Sequence, residues 1–223
     1  MQKFPTAAPV TVVVDLPAGR IQLIAADRAD ATVDIRPLNP AKTRDAKAAE
    51  KVRVDYADGV LRIESPQPEN RLFGSSGHVE VTVQLPVGSR VRAKAAAADL
   101  RGVGRLGDVD FETAQGEIKL DETGAARLAV QAGSIVVGRL GGPATLSTQK
   151  GDLRVDEAKT GTVELSTQKG DITVGAARGV SATLDAGTGY GRVANTLRND
   201  EGAASALRFK ATTAYGDITA RSL

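Results

Sequence analysis

The chain has no cysteine and no tryptophan, a single histidine, a single methionine, and 3% aromatic residues in 223. Each shortage closes a line of chemistry. Without thiols there is no disulfide framework, no thiolate metal site and no cysteine redox chemistry, which suits a reducing compartment. With one histidine, His78, a catalytic triad has no choice of base. No Gly-x-Ser-x-Gly elbow surrounds any serine, so His78 reads as a surface residue at a loop edge. Neither a histidine cluster, an EF-hand nor a Gly-Gly-x-Gly-x-Asp calcium coil is present, so no metal or cofactor is expected.

Charge of one sign is lacking as well. The 29 Lys plus Arg against 27 Asp plus Glu leave a net +2, too balanced to coat a phosphate backbone, so no nucleic acid is expected as a partner. Long apolar runs are missing too. Val10–Val14 is too short and too strand-like for a signal-peptide core or a membrane span. The expectation is a cytoplasmic chain, with a secreted or cell-surface protein lacking its leader as the alternative.

What is present is a repeat. Leu146-Ser-Thr-Gln-Lys-Gly-Asp152 recurs unchanged as Leu165-Ser-Thr-Gln-Lys-Gly-Asp171, 19 residues on. Anchored on glycine, the pattern extends to Gly116, Gly133, Gly151, Gly170, Gly191 and Gly216. Two residues after each glycine comes an aliphatic: Ile118, Ile135, Leu153, Ile172, Val193 and Ile218. Leu120, Val137, Val155 and Val174 follow in the first four copies, which is the alternation of a strand. Phe111, Leu128, Leu146 and Leu165 lie five residues before their glycines, whereas Leu184 and Phe209 lie seven before theirs, as if the corner had grown by two.

Leu146 and Leu153 are seven apart and cannot face one side of an uninterrupted strand, so the chain bends between them, at a glycine that tolerates a tight corner. One such coil cannot bury its apolar face. Coils stacked at roughly 4.8 Å put like aliphatics in continuous ladders. The inward spacing of seven, two, eight, two does not suit a left-handed hexapeptide solenoid, and a sandwich of antiparallel hairpins is the other architecture left open. The pattern therefore implies an all-β, right-handed parallel β-solenoid (β-helix), with coils of 17–25 residues over 93–223.

Residues 1–92 read as less regular coils or a cap. Strands are expected at Val10–Val14, Ile21–Ile24, Thr32–Ile35, Val52–Tyr56, Val60–Ile63 and Val79–Leu85. Leu16-Pro-Ala-Gly19 and Leu85-Pro-Val-Gly88 are related turns, and Asp58-Gly59 is a hairpin signal. Two inserted loops stand out, 39–51 and 66–77; the first has good helix formers and reads as a short exposed helix.

The side chains that repeat at the corners are the candidate surface. Lys150, Asp152, Lys169 and Asp171 recur in successive copies, with Asp217 in the last. Paired carboxylates on a solenoid can serve a carbohydrate-active enzyme, but recurrence at one corner position points to a surface lattice instead. Gly187-Thr-Gly-Tyr-Gly191 is not followed by a helix that would hold a phosphate, so it reads as an enlarged corner. Tyr190 and Tyr215 hold the same place in successive coils and are expected to stack outside, beside Arg192 and Asp217, as a face for a protein partner, a glycan or a small ligand. Thr148 and Thr167 are in register, but Val130 interrupts the row that an ice-binding face would need.

Val81-Thr-Val-Gln-Leu-Pro-Val-Gly88 leading into Ala98-Asp-Leu-Arg-Gly102, the serial Gly-Asp-Ile and Gly-Asp-Leu corners, and the closing Thr213-Ala-Tyr-Gly-Asp-Ile-Thr219 resemble a bacterial family. These are the "putative adhesin" β-strand-repeat domains, domain of unknown function 4097. The resemblance covers nearly the whole chain and implies a β-solenoid without an established activity. A more distant architectural likeness is to bactofilins, which implies end-to-end polymerisation. The leading expectation is a non-catalytic scaffold for protein interaction or self-assembly through solenoid edges. A glycan or small-molecule binding module comes second and a carbohydrate-active enzyme third.

Overall fold

A computed structural model describes residues 1–65, 77–200 and 205–223, which form two compact units, Met1–Gly116 and Glu117–Leu223. The chain is all-β apart from one helix among the described residues, and its parallel strands make a β-solenoid.

The first unit contains β1 (Gln2–Pro5), β2 (Thr11–Ala26), β3 (Asp30–Pro37), α1 (Thr43–Lys51), β4 (Arg53–Ala57), β5 (Val60–Glu64), β6 (Val79–Pro86), β7 (Arg90–Arg105) and β8 (Val109–Gln115). β2 and β7 run parallel from Thr11↔Arg90 to Ile24↔Val103. Val12, Val14, Leu16 and Ala18 of β2 are buried, and then Ile21, Leu23 and Ala25. The parity changes at Gly19, whose φ is +144° and where a Cβ would lie 1.9 Å from the Val79 carbonyl oxygen. Only glycine fits there. Leu16-Pro-Ala-Gly19 is thus a bend inside one strand rather than a turn between two. At this bend the outer partner of β2 changes from β5 to β6, and Pro17, which has no N–H to donate, falls in the gap.

Antiparallel strands close the outer side of this unit. β4 pairs with β5 through the Asp58-Gly59 turn, where both residues have positive φ, and β3 pairs with both β6 and β1. The expected helix is present as α1 but is anchored rather than simply solvated. Asp45 in its first turn is 2% exposed and accepts the His78 N–H at 3.0 Å and the Asn39 N–H at 3.2 Å. His78 itself is exposed, and the rest of the 66–77 loop, residues 66–76, lies outside the described residues.

The second unit contains β9 (Ile118–Thr123), β10 (Ala126–Ala132), β11 (Ile135–Leu140), β12 (Ala144–Lys150), β13 (Leu153–Ala158), β14 (Gly161–Lys169), β15 (Ile172–Ala176), β16 (Ala182–Tyr190), β17 (Val193–Thr196), β18 (Leu207–Tyr215) and β19 (Ile218–Ser222). All ladders within it are parallel. Leu128, Leu146 and Leu165 meet in register and are at most 2% exposed, as the repeat requires. Ile118, Ile135, Leu153, Ile172 and Ile218 form the matching ladder on the next side.

Two expectations are corrected at the C-terminal end. Chain order is not stacking order: β14 pairs with β18 and β18 with β16, while β15 pairs with β19 and β19 with β17. The last coil in sequence sits inside, and β16–β17 is the outermost. The corner has not grown either, because Lys169, Tyr215 and Tyr190 are in register. Phe209 instead occupies the Val163 position and Ala211 the Leu165 position. Bulk moves from one inward position to its neighbour, and the pair keeps a filled core.

Two tests follow. Gly170 has φ +152° and a Cβ there would lie 2.0 Å from the Gly151 carbonyl oxygen, so Gly170→Ala is expected to cost about 3 kcal/mol. Thermal unfolding should fall by roughly 10 °C, against a drop of only a few degrees for Gly179→Ala, which has positive φ but open space. The second test concerns acid. The His78 N–H above all, with the Asn39 N–H, holds the Asp45 carboxyl below the usual carboxylate range, and hydrogen bonds from Arg28 and Lys3 lower that of Asp30 to about 2. A depressed folded-state pKa contributes stability that is complete above the unfolded value near 4 and is lost as pH falls through the folded value. Denaturation measured from pH 5 to pH 2 should show this loss, with a shallower slope in Asp45→Asn.

Candidate interaction surface

The corner glycines of the second unit lie one above another in the order Gly133, Gly151, Gly170, Gly216, Gly191. The residue after each glycine forms a hydrogen-bonded row. Ser134 Oγ accepts the Asp152 N–H at 3.2 Å, and Asp152 Oδ1 accepts the Asp171 N–H at 2.9 Å. Asp171 Oδ1 then accepts the Asp217 N–H, and Asp217 Oδ1 the Arg192 N–H, each at 2.8 Å. Each of these three aspartates is thus committed through one oxygen to the next coil's backbone, which ties neighbouring coils together.

A second row lies inside the corner. The hydroxyls of Thr148, Thr167, Thr213 and Thr188 donate to the carbonyl oxygens of Gly133, Gly151, Gly170 and Gly216 at 2.9–3.2 Å. Thr148, Thr167 and Thr213 are buried, so these threonines face the core and offer no ice-binding plane.

The residue before each glycine points out. In stacking order these are Ala132, Lys150, Lys169, Tyr215 and Tyr190. Both lysines are exposed. The tyrosine rings stack with centroids 5.0 Å apart and planes 4° from parallel, and Tyr215 and Tyr190 are 56% and 71% exposed. Each ring covers one face of the other. Tyr190, on the outermost coil, keeps its other face open toward the end of the stack.

That outermost coil is where the surface departs from the rest of the unit. Among the described residues β16 pairs only with β18 and β17 only with β19. All four residues of β17 are exposed, Val193 by 46% at a position where every equivalent residue is buried. Around this coil stand exposed Asp185, Arg192, Arg198 and Asp200, two acids and two bases. The Arg192 side chain is 90% exposed and 3.6 Å from Asp217, a contact of little energetic weight. The sequence carries a sign of this end: a coil that must receive another needs an acceptor after its glycine, and Arg192 is not one.

On another face of this unit, an open groove of about 450 Å³ is lined in part by Lys119, Asp121, Arg139, Arg154, Asp156 and Arg221. Its charges are interleaved, with Arg154 2.5 Å from Asp156 and Arg139 3.0 Å from Glu122, and its lining includes neither histidine nor a hydroxyl nucleophile. No group of three or more His, Asp or Glu among the described residues is placed to hold a metal ion. No helix among them is long and apolar enough to cross a membrane.

The row of aspartates is open to a direct test. Asp171→Ala removes the acceptor of the Asp217 N–H and is expected to cost about 1 kcal/mol in chemical denaturation. Asp171→Asn keeps an oxygen there and should stay close to the unaltered protein, as should Lys169→Ala.

Comparison with known proteins places this architecture. No curated protein sequence matches the chain. Among solved structures it is similar to a "putative lipid binding protein" from Parabacteroides distasonis, with 10% identity over 98% of this chain and 95% of that one and a TM-score of 0.50. It is also similar to a "putative adhesin" from the same organism, at 14% identity, 100% and 95% coverage and a TM-score of 0.44. A third is a "putative cell adhesion protein" from Clostridium sporogenes, at 12% identity, 100% and 99% coverage and a TM-score of 0.37. At these identities the likeness concerns the fold alone. Residues 7–221 match the model of the Toastrack family, domain of unknown function 4097, and the chain belongs to that family.

Proposed function

We propose that the chain is a non-catalytic β-solenoid scaffold that docks a strand edge of a protein partner, a second copy included, on its β16–β17 edge. The observation that carries this reading is the one-sided pairing of β16 and β17 among the described residues, together with the exposure of Val193 and the open face of Tyr190. An unpaired strand edge offers a row of backbone donors and acceptors to an incoming strand. Burying Val193 and one face of Tyr190 adds apolar area at the same place. The charges around the coil, Asp185 and Asp200 with Arg192 and Arg198, are balanced in sign, so a second copy meets both kinds.

A glycan or small ligand fits this surface less well. Mutual stacking turns the edges of the tyrosine rings outward along the corner, so a sugar chain lying on Lys150, Lys169, Tyr215 and Tyr190 meets ring edges and not a platform. The aspartates beside it already bind backbone.

Light scattering coupled to size exclusion tests the edge. Protein kept folded throughout is expected to associate with rising concentration, and the double variant Tyr190→Ala, Val193→Lys to lose that association while remaining folded. A protein that is monomeric at every concentration would remove self-association. Unaltered association in the double variant would move it to another surface.

A further inference from the structure

The segment that fills the interior of the second unit's end arrives last in sequence. β18 hydrogen-bonds to β14 on one side and β16 on the other, and β19 to β15 and β17. Leu207, Phe209, Ala211, Thr213, Ile218 and Ala220 are each at most 2% exposed. The corner of this segment receives on one side and gives on the other: its Asp217 N–H binds Asp171, and its Asp217 carboxylate binds the Arg192 N–H. Lys210 reaches Glu164 at 3.0 Å across the β14 side. The segment is recognised along both edges and by alternate side chains, as an added strand is in β-augmentation.

The outer coil depends on this segment. Within the unit, β16 and β17 have no other ladder partner among the described residues, and β16 brings Ala186, Gly187 and Gly189 where β14 has Leu165, Ser166 and Gln168. Two walls, β14–β15 and β16–β17, thus define a slot one coil wide. The ladder bonds and side-chain registers that hold a coil there are indifferent to which molecule supplies it. The same sixteen positions, 207–222, from a second copy satisfy each of them.

We propose that this slot is an exchangeable binding site for a strand pair, and that copies of the chain associate by trading the segment Leu207–Ser222. Reciprocal exchange preserves the ladder contacts of the segment in both slots, and trading an identical element between copies is a low-cost route to dimers. The slot is distinct from the outer edge proposed above, and the two modes of association separate experimentally.

The absence of native cysteine makes the test clean. Ser166 on β14 and Thr212 on β18 are direct partners with exposed side chains, and neighbouring strands at roughly 4.8 Å lie within the Cα separation a disulfide spans. The full-length variant Ser166→Cys, Thr212→Cys, in the Tyr190→Ala, Val193→Lys background that disables the edge, is refolded over a range of concentrations, oxidised, and run on a denaturing gel without reductant. A covalent dimer band that grows with refolding concentration and requires both cysteines is expected. An intramolecular bond alone at every concentration overturns the proposal. Native mass spectrometry of heavy- and light-isotope copies of the cysteine-free edge variant, refolded together, gives an independent reading. Mixed dimers that survive dilution support exchange, and monomers alone reject it. Loss of association only on disabling the edge would leave the edge reading standing and the slot reading refuted.

Discussion

Glycine at the corner positions lets the coils of the second unit approach to ladder distance, because a Cβ at Gly151, Gly170, Gly216 or Gly191 would fall 1.9–2.1 Å from the carbonyl oxygen of the glycine in the neighbouring coil. The backbone there also takes φ of +148° to +158°, which other residues rarely adopt. Removing the side chain creates two polar obligations, a corner carbonyl and a corner N–H that leave the regular ladder. Threonine hydroxyls from inside meet the first and aspartate carboxylates from outside meet the second. The repeated Ser-Thr-Gln-Lys-Gly-Asp string is therefore the corner written out: a donor, two outward residues, a gap and an acceptor.

That account explains which parts of the fold could be read from sequence. The repeat carries its own geometry: the parity between Leu146 and Leu153 requires a bend, and both residues are fully buried on either side of it. The tyrosine stack follows from the shared position of Tyr190 and Tyr215 before their glycines. Stacking order does not follow, since a parallel ladder specifies what lies beside a residue without specifying how far along the chain it is. The clue lay in polarity. Asp152, Asp171 and Asp217 each serve the coil beyond, and the coil with Arg192 in that place is the one that pairs with no further coil among the described residues. Counting aliphatics alone made the order of the last two coils look sequential and turned the trade of bulk between Phe209 and Ala211 into an apparent insertion.

The first unit resisted reading for a different reason. Its long strands β2 and β7 bend without ending, so the turn vocabulary applied to Leu16-Pro-Ala-Gly19 finds a boundary where the ladder only changes partners. Hydrophobic alternation does not distinguish the parallel partner β5 from the antiparallel strand β4 beside it, because the sequence of each alternates with the period of a strand. Asp45 was invisible to composition. An acid in a lysine-rich helix looks like one more exposed charge until the Asn39 and His78 amides converge on it.

The corner chemistry also bears on what the scaffold can and cannot offer. Carboxylates that recur at one position suggest a reactive surface, yet each is already hydrogen-bonded to backbone along the stack. On the proposed reading, partner recognition falls to what the ladder leaves over: the residues before each glycine, and the coil whose outer side carries no ladder among the described residues. Of these the lysines are single exposed charges, whose pairings in water are worth little. The outermost coil combines one-sided ladder pairing among the described residues with exposed apolar area, and it is held in place through β18–β19, which follow it in sequence. Any partner that binds β16–β17 therefore stabilises the docking of β18–β19 as well, since the outer wall and the coil beneath it form one continuous ladder.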